Sequence, residues 1–196
     1  PYEVLTALLA FTCLLAGVVL DRKLLPLIFL LLLYNLGGAF SLIPVIGDEP
    51  SRRFILISFY MAVTAIIFAM IFSTDCVRRL EILRRAYILA GICAAIAGII
   101  GYFKGIDLLT LYGRARGTFK DPNVYGPFLI LPMLFLLQSF LVRGLRVLSL
   151  AAFLLMAAGL FLSFSRAAWA HMVFSAAMML GLLFVTTPSG WFRARL

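Results

Sequence analysis

"AYILAGICAAIAGIIGYF", Ala86 to Phe103, runs for eighteen residues without a charged side chain. Coiled as an α-helix it would cover about 27 Å, close to the ~30 Å hydrocarbon thickness of a bilayer. Ala90, Ala94 and Gly98 stand four apart within it, with Ala97 and Gly101 nearby. Small residues at that spacing predict a face on which another helix approaches closely, a packing surface rather than a site. Outward from this run lie six further apolar stretches: Val4 to Leu20, Leu24 to Phe40, Phe54 to Ser73, Val124 to Leu141, Val147 to Leu162 and Ala167 to Val185. The expectation is an all-α polytopic transmembrane helix bundle of about seven helices, a single transmembrane domain across residues 1–196.

Composition agrees. Of the 196 residues, 64% are hydrophobic and 13% charged, and the mean hydropathy is +1.12, far from the norm for a soluble globular chain. The formal net charge of +9 does not argue for nucleic acid, because in a chain of apolar spans the placement of basic residues among loops carries the information. Alternating the loops puts Arg22, Lys23, Arg78, Arg79, Arg84, Arg85, Arg143, Arg146, Arg193 and Arg195 on one side. Arg52, Arg53, Lys104, Arg114, Arg116, Lys120 and Arg166 fall on the other. The first set includes the dense "RRLEILRR" loop and is assigned to the cytoplasm by the positive-inside rule. An outer loop over 104–122 and a short outer junction over 163–166 follow. Four basic residues of that loop stay outside against the bias, which suits an anionic ligand.

Other chemistry is thin. Cys13 and Cys93 fall in apolar spans and Cys76 beside the arginine-rich loop, so neither a disulfide framework nor a zinc site is indicated. The acidic residues Glu3, Asp21, Asp48, Glu49, Asp75, Glu81, Asp107 and Asp121 are scattered, without metal-ligand or paired-carboxylate spacing. No metal or cofactor is expected. The chain opens on Pro1 and closes on "WFRARL", and is read as an internal segment of a longer protein. Its first span lacks a basic n-region and a small-residue cleavage site, so a signal peptide is not expected.

Two polar outliers remain. In "RARGTFKDPNVYG", Arg114 to Gly126, Asp121 is expected to cap the following helix and Pro122 to occupy its first turn. Arg114, Arg116 and Lys120 then either snorkel to lipid headgroups or hold a ligand. In "LSFSRAAWAH", Ser163, Ser165 and Arg166 fill a very short gap between helices six and seven. A charge at that depth that does not snorkel needs a partner, and Arg166 has no carboxylate within four residues, so its partner is on another helix or is a ligand, unless it is an interfacial anchor. Arg116 and Arg166 on one side would form a diphosphate clamp, since guanidinium groups bind phosphate oxygens in pairs. Trp169 reads as an interface anchor, and His171 as a helix-to-helix hydrogen-bonding residue rather than a base.

"RARGTFKDPNVYGPFLILPMLFLL", followed later by "LSFSRAAWAHMV", resembles the O-antigen ligase and O-antigen polymerase superfamily of bacterial envelope membrane proteins. The pattern is an Arg-x-x-Gly-x-Phe-x-(Asp/Asn)-Pro-Asn loop entering a helix, then a Ser-Arg pair at the outer end of a later one. It covers mainly Gly101 to Val185. The resemblance implies a multi-pass enzyme of the bacterial inner membrane, taking a glycan from an undecaprenyl diphosphate donor to a glycan or lipid acceptor on the outer face. The family's diphosphate-holding arginines would map onto Arg116 and Arg166, on the outer side. Its general base is associated with a histidine in a large outer loop, absent between residues 1 and 196 and expected downstream. A transporter of a small anion such as bicarbonate is the alternative, and a structural membrane partner a third.

Overall fold

The computed structural model describes residues 2–15, 17 and 21–186. It is mostly helical. Seven α-helices follow one another among the described residues: α1 (Tyr2–Leu15), α2 (Leu25–Leu42), α3 (Glu49–Ser73), α4 (Cys76–Lys104), α5 (Pro122–Arg143), α6 (Val147–Leu162) and α7 (Arg166–Thr186). One short hairpin, β1 (Thr110–Leu111) and β2 (Arg114–Ala115), interrupts them between α4 and α5. Among the described residues, five helices are long and apolar enough to cross a membrane: α2 with its flanking turns, α3, α4, α5 and α7. At 16 residues α6 is shorter, about 24 Å. The last residues of the first expected span, 18–20, and the terminal Arg193 and Arg195 lie outside the described residues.

The chain forms two compact units, Pro1–Glu81 and Ile82–Leu196. In the first, α2 and α3 pack together. Ser58 of α3 donates to the Asn35 side-chain oxygen of α2 at 3.1 Å, and the Asn35 amide donates to the Leu31 carbonyl at 2.8 Å. Asp48 caps α3, accepting from the Ser51 backbone N–H at 3.0 Å and from the Ser51 hydroxyl. The hydroxyl first and the backbone N–H second hold the Asp48 carboxyl below its ordinary range, because both favour the ionised form. Glu49 and Arg53 pair at 2.7 Å one turn apart, but both side chains are exposed and the pair contributes little. Where α3 ends, Arg79 donates to the Ile71 carbonyl, a cation at the negative end of the helix.

"RRLEILRR" was expected as a loop and is helix, part of α4. The helix break comes earlier, at Thr74 and Asp75, where Asp75 takes a left-handed φ of 47°. Nothing after Cys76 breaks a helix: Arg, Leu, Glu and Ile all propagate one. Hydropathy marks where a helix leaves the apolar phase, which is not where it starts.

The second unit is built around α5, which packs against both α6 and α7. The small-residue face of α4 is buried as expected, but through Gly91, Ala94, Ala95, Gly98 and Gly101, while Ala90 is exposed. A strict four-residue step turns about 40° too far each time, so Ala90 has drifted about 80° from Gly98. Gly91 is required where it stands: a Cβ there would lie 2.8 Å from the Met156 sulfur and 2.9 Å from Pro132. Pro127 and Pro132 lie inside α5 without ending it.

Candidate functional site

The two polar outliers of the sequence meet at one end of the second unit. After α4 the chain turns at Gly105, and the Leu109 carbonyl accepts from the backbone N–H groups of Arg116 and Gly117 at 3.0 and 3.1 Å. Between them, Thr110 pairs with Ala115 and Leu111 with Arg114. The turn residues Tyr112 and Gly113 have φ of 53° and 70°, the doubly left-handed pattern of a tight two-residue hairpin. Gly117 combines a φ of 57° with a wall 3.2 Å from where its Cβ would be, the Tyr125 ring. Asp121 then caps α5, accepting from the Asn123 N–H at 2.6 Å, and Pro122 sits in the first turn, both as expected.

The α6–α7 junction is equally constrained. Ser163 closes α6, its hydroxyl donating to the Leu160 carbonyl at 2.6 Å and accepting from the Ser165 N–H at 3.3 Å. Phe164 adopts a left-handed φ of 48°. Ser165 caps α7, its hydroxyl accepting from Ala168 N–H at 3.4 Å. Ser163 and Ser165 are both buried. Gly126 of α5 allows this junction to lie close, since a Cβ there would stand 2.8 Å from Ala168 and 3.1 Å from the Ser163 hydroxyl.

Arg114 joins the two segments. Its Nε donates to the Ser163 carbonyl at 2.7 Å and its Nη2 to the Asn123 side-chain oxygen at 3.0 Å. Arg116 braces the loop internally: Nη2 donates to the Asp107 carbonyl at 3.0 Å and Nη1 to the Lys120 carbonyl at 3.4 Å. Its Nε is buried without a partner among the described residues. By the donor count of a guanidinium, each Nη of Arg116 keeps one N–H beyond these bonds. Lys120 is exposed. Arg166, the first residue of α7, is exposed, and its side chain makes no hydrogen bond or ion pair among the described residues.

The structure thus gives the four sequence-selected residues different settings. Arg114 and Arg116 are half-buried and bonded to protein; Lys120 and Arg166 face outward. With Lys104 they make five cations, against only Asp107 and Asp121, and the Asp121 carboxylate is engaged as a cap. Among the described residues no group of three or more His, Cys, Asp or Glu side chains is placed to hold a metal ion. Trp169, expected as a lipid-interface anchor, is half-buried and donates its indole N–H to Leu160 of α6. His171, expected between helices, lies on an exposed face of α7, and its imidazole has no hydrogen bond among the described residues. Sequence reasoning missed the hairpin, for which Tyr112-Gly113 was the available signal, and the role of Arg114 as a link.

The chain matches no family model, no curated protein and no solved structure.

Proposed function

We propose that this end of the second unit binds the diphosphate of a lipid-linked glycan, and that the protein is a membrane glycosyltransferase of the O-antigen ligase or polymerase kind, working in envelope polysaccharide or lipopolysaccharide biosynthesis. The observation that carries the reading is Arg166: an exposed guanidinium at the start of a 21-residue helix, with no protein partner among the described residues. A cation at a helix N-terminus is opposed by the dipole, by roughly 0.3–1 kcal/mol, whereas an anion there is favoured. An anionic ligand reverses the sign for both. Lys120 and the remaining N–H groups of Arg116 add donors from the loop, in keeping with the resemblance of "RARGTFKDPN" and "SFSR" to that superfamily.

In this reading the protein sits in the bacterial inner membrane with Arg116 and Arg166 on the outer side. The acceptor hydroxyl attacks the anomeric carbon, the bond from that carbon to the diphosphate oxygen breaks, and its electron pair leaves with undecaprenyl diphosphate. The hydroxyl proton passes to a general base. Fixed guanidinium charge stabilises the departing diphosphate as its negative charge grows. No cofactor enters the scheme.

The test is binding of undecaprenyl diphosphate to the full chain in lipid nanodiscs. Saturable binding that weakens at least tenfold in Arg166→Ala is expected, on the order of one charge-assisted contact. Absence of saturable binding, or binding of bicarbonate alone, would remove the proposal, the second result in favour of anion transport.

A further inference from the structure

We infer that Arg114 is a positioning residue, whose guanidinium locks the start of α5 to the α6–α7 junction and so sets where Arg166 stands relative to the loop. The inference takes its ligand from the diphosphate reading, but the lock stands on two hydrogen bonds. One edge of the guanidinium is used up. Nε donates to the Ser163 carbonyl at 2.7 Å and Nη2 to the Asn123 side chain at 3.0 Å.

Each partner is fixed in its own element. Ser163 is the C-cap of α6, and the last carbonyls of a helix have no partner within it and carry the negative end of its dipole. A guanidinium there makes a short, charge-assisted bond. Asn123 is in the first turn of α5, its N–H held by the Asp121 cap. Arg114 itself follows directly on the Tyr112–Gly113 turn and is held in β2 by pairing with Leu111. A planar fork bonded on one edge fixes both distance and angle between its partners, which an ammonium on a flexible stem does not. Arg166 begins α7 three residues after Ser163, across Phe164 and the Ser165 cap. The junction keeps its own internal bonds when the Ser163 carbonyl is freed, but it loses its side-chain tie to the loop, and with it the fixed placement of Arg166 relative to that loop.

The experiment pairs a distance with an affinity. Spin labels at Thr118→Cys and Ala167→Cys, both exposed positions, are placed in a Cys13→Ala, Cys76→Ala, Cys93→Ala background of the full chain in nanodiscs. Pulsed dipolar spectroscopy reads the distance distribution, and binding of undecaprenyl diphosphate is measured on the same samples. Arg114→Gln is expected to broaden the distribution and weaken binding about tenfold, as lost preorganisation does. Asn123→Ala, which removes one bond of the two, should fall between, and adding it to Arg114→Gln should broaden nothing further. Arg114→Lys should stay broad and stay weak, although its charge is retained. Arg166→Ala should weaken binding with the distribution unchanged. Recovery of affinity in Arg114→Lys with a broad distribution, or loss of affinity in Arg114→Gln with a narrow one, would make Arg114 a ligand group and overturn the inference. If the wild type binds no diphosphate while Arg114→Gln still broadens the distribution, the function proposed above falls and the lock remains.

Discussion

Trp169 of α7 donates its indole N–H to the carbonyl oxygen of Leu160, in the last turn of α6, at 3.1 Å. The same carbonyl accepts from the Ser163 hydroxyl at 2.6 Å, so the end of α6 is held from its own cap and from the next helix. Trp169→Phe keeps a ring beside Phe161, whose centroid lies 5.6 Å away, and removes only the donor. Leu160 retains its Ser163 bond, so a loss of about 0.5–1.5 kcal/mol is expected, the net worth of one hydrogen bond. Thermal unfolding in detergent measures it. No loss in Trp169→Phe beside a clear loss in Trp169→Ala would mean that ring packing, and not the indole N–H, is what matters.

A second prediction concerns the centre of the same unit. Tyr125 is fully buried, its hydroxyl has no hydrogen-bond partner among the described residues, and a Cβ on either Gly98 or Gly159 would collide with it. Gly98→Ala should therefore destabilise by roughly 1–3 kcal/mol through overpacking. Tyr125→Phe removes an unsatisfied hydroxyl and should be neutral or stabilising. In the double variant much of the Gly98→Ala penalty should vanish. Strictly additive effects in a thermal-stability cycle would show that the methyl and the hydroxyl do not meet.

Arg116 and Arg166 should separate stability from binding. Arg116→Ala frees the Asp107 and Lys120 carbonyls and is expected to lower stability by about 1–3 kcal/mol as well as weaken diphosphate binding. Arg166→Ala removes an exposed side chain and should leave stability within about 0.5 kcal/mol, while binding falls at least tenfold. Equal thermal losses in the two variants would remove the distinction drawn between brace and free cation.

Sidedness is open to chemical labelling. Single cysteines at Thr110 and Thr118, in the β1–β2 loop region, should react with a membrane-impermeant thiol reagent in intact spheroplasts. One at Ile82, beside the Arg84–Arg85 pair on α4, should react only after permeabilisation. The reverse pattern would turn the proposed outer face inward.

Hydropathy made the apolar helices legible. The expected Val147 to Leu162 coincides with α6 at both ends, and Ala167 to Val185 differs from α7 by one residue at each. What stayed hidden depends on contacts distant in sequence. Nothing near Arg114 announces that its partner is a backbone carbonyl at Ser163, and a backbone acceptor carries no side-chain signature at all. Trp169 showed only an amphipathic ring, which suits a lipid interface and a helix end equally well, so its bond to Leu160 stayed hidden. The cap at Asp121 was readable because the Asp-Pro-Asn order fixes its own local geometry.

In the first unit, the Ser58–Asn35 bond acts as a registration mark. Two apolar helices can slide past each other by a turn, about 5.4 Å, at little cost in contact. Such a slip would part Ser58 from Asn35 and leave its side-chain oxygen without that donor in an apolar setting. It would also move Ile55 off Gly38, where only 3.0 Å separates the Ile55 Cδ1 from a would-be Cβ. A single bond of this kind contributes on the order of 0.6 kcal/mol to holding membrane helices together. Its larger effect is to make one alignment of α2 and α3 distinguishable from its neighbours one turn away.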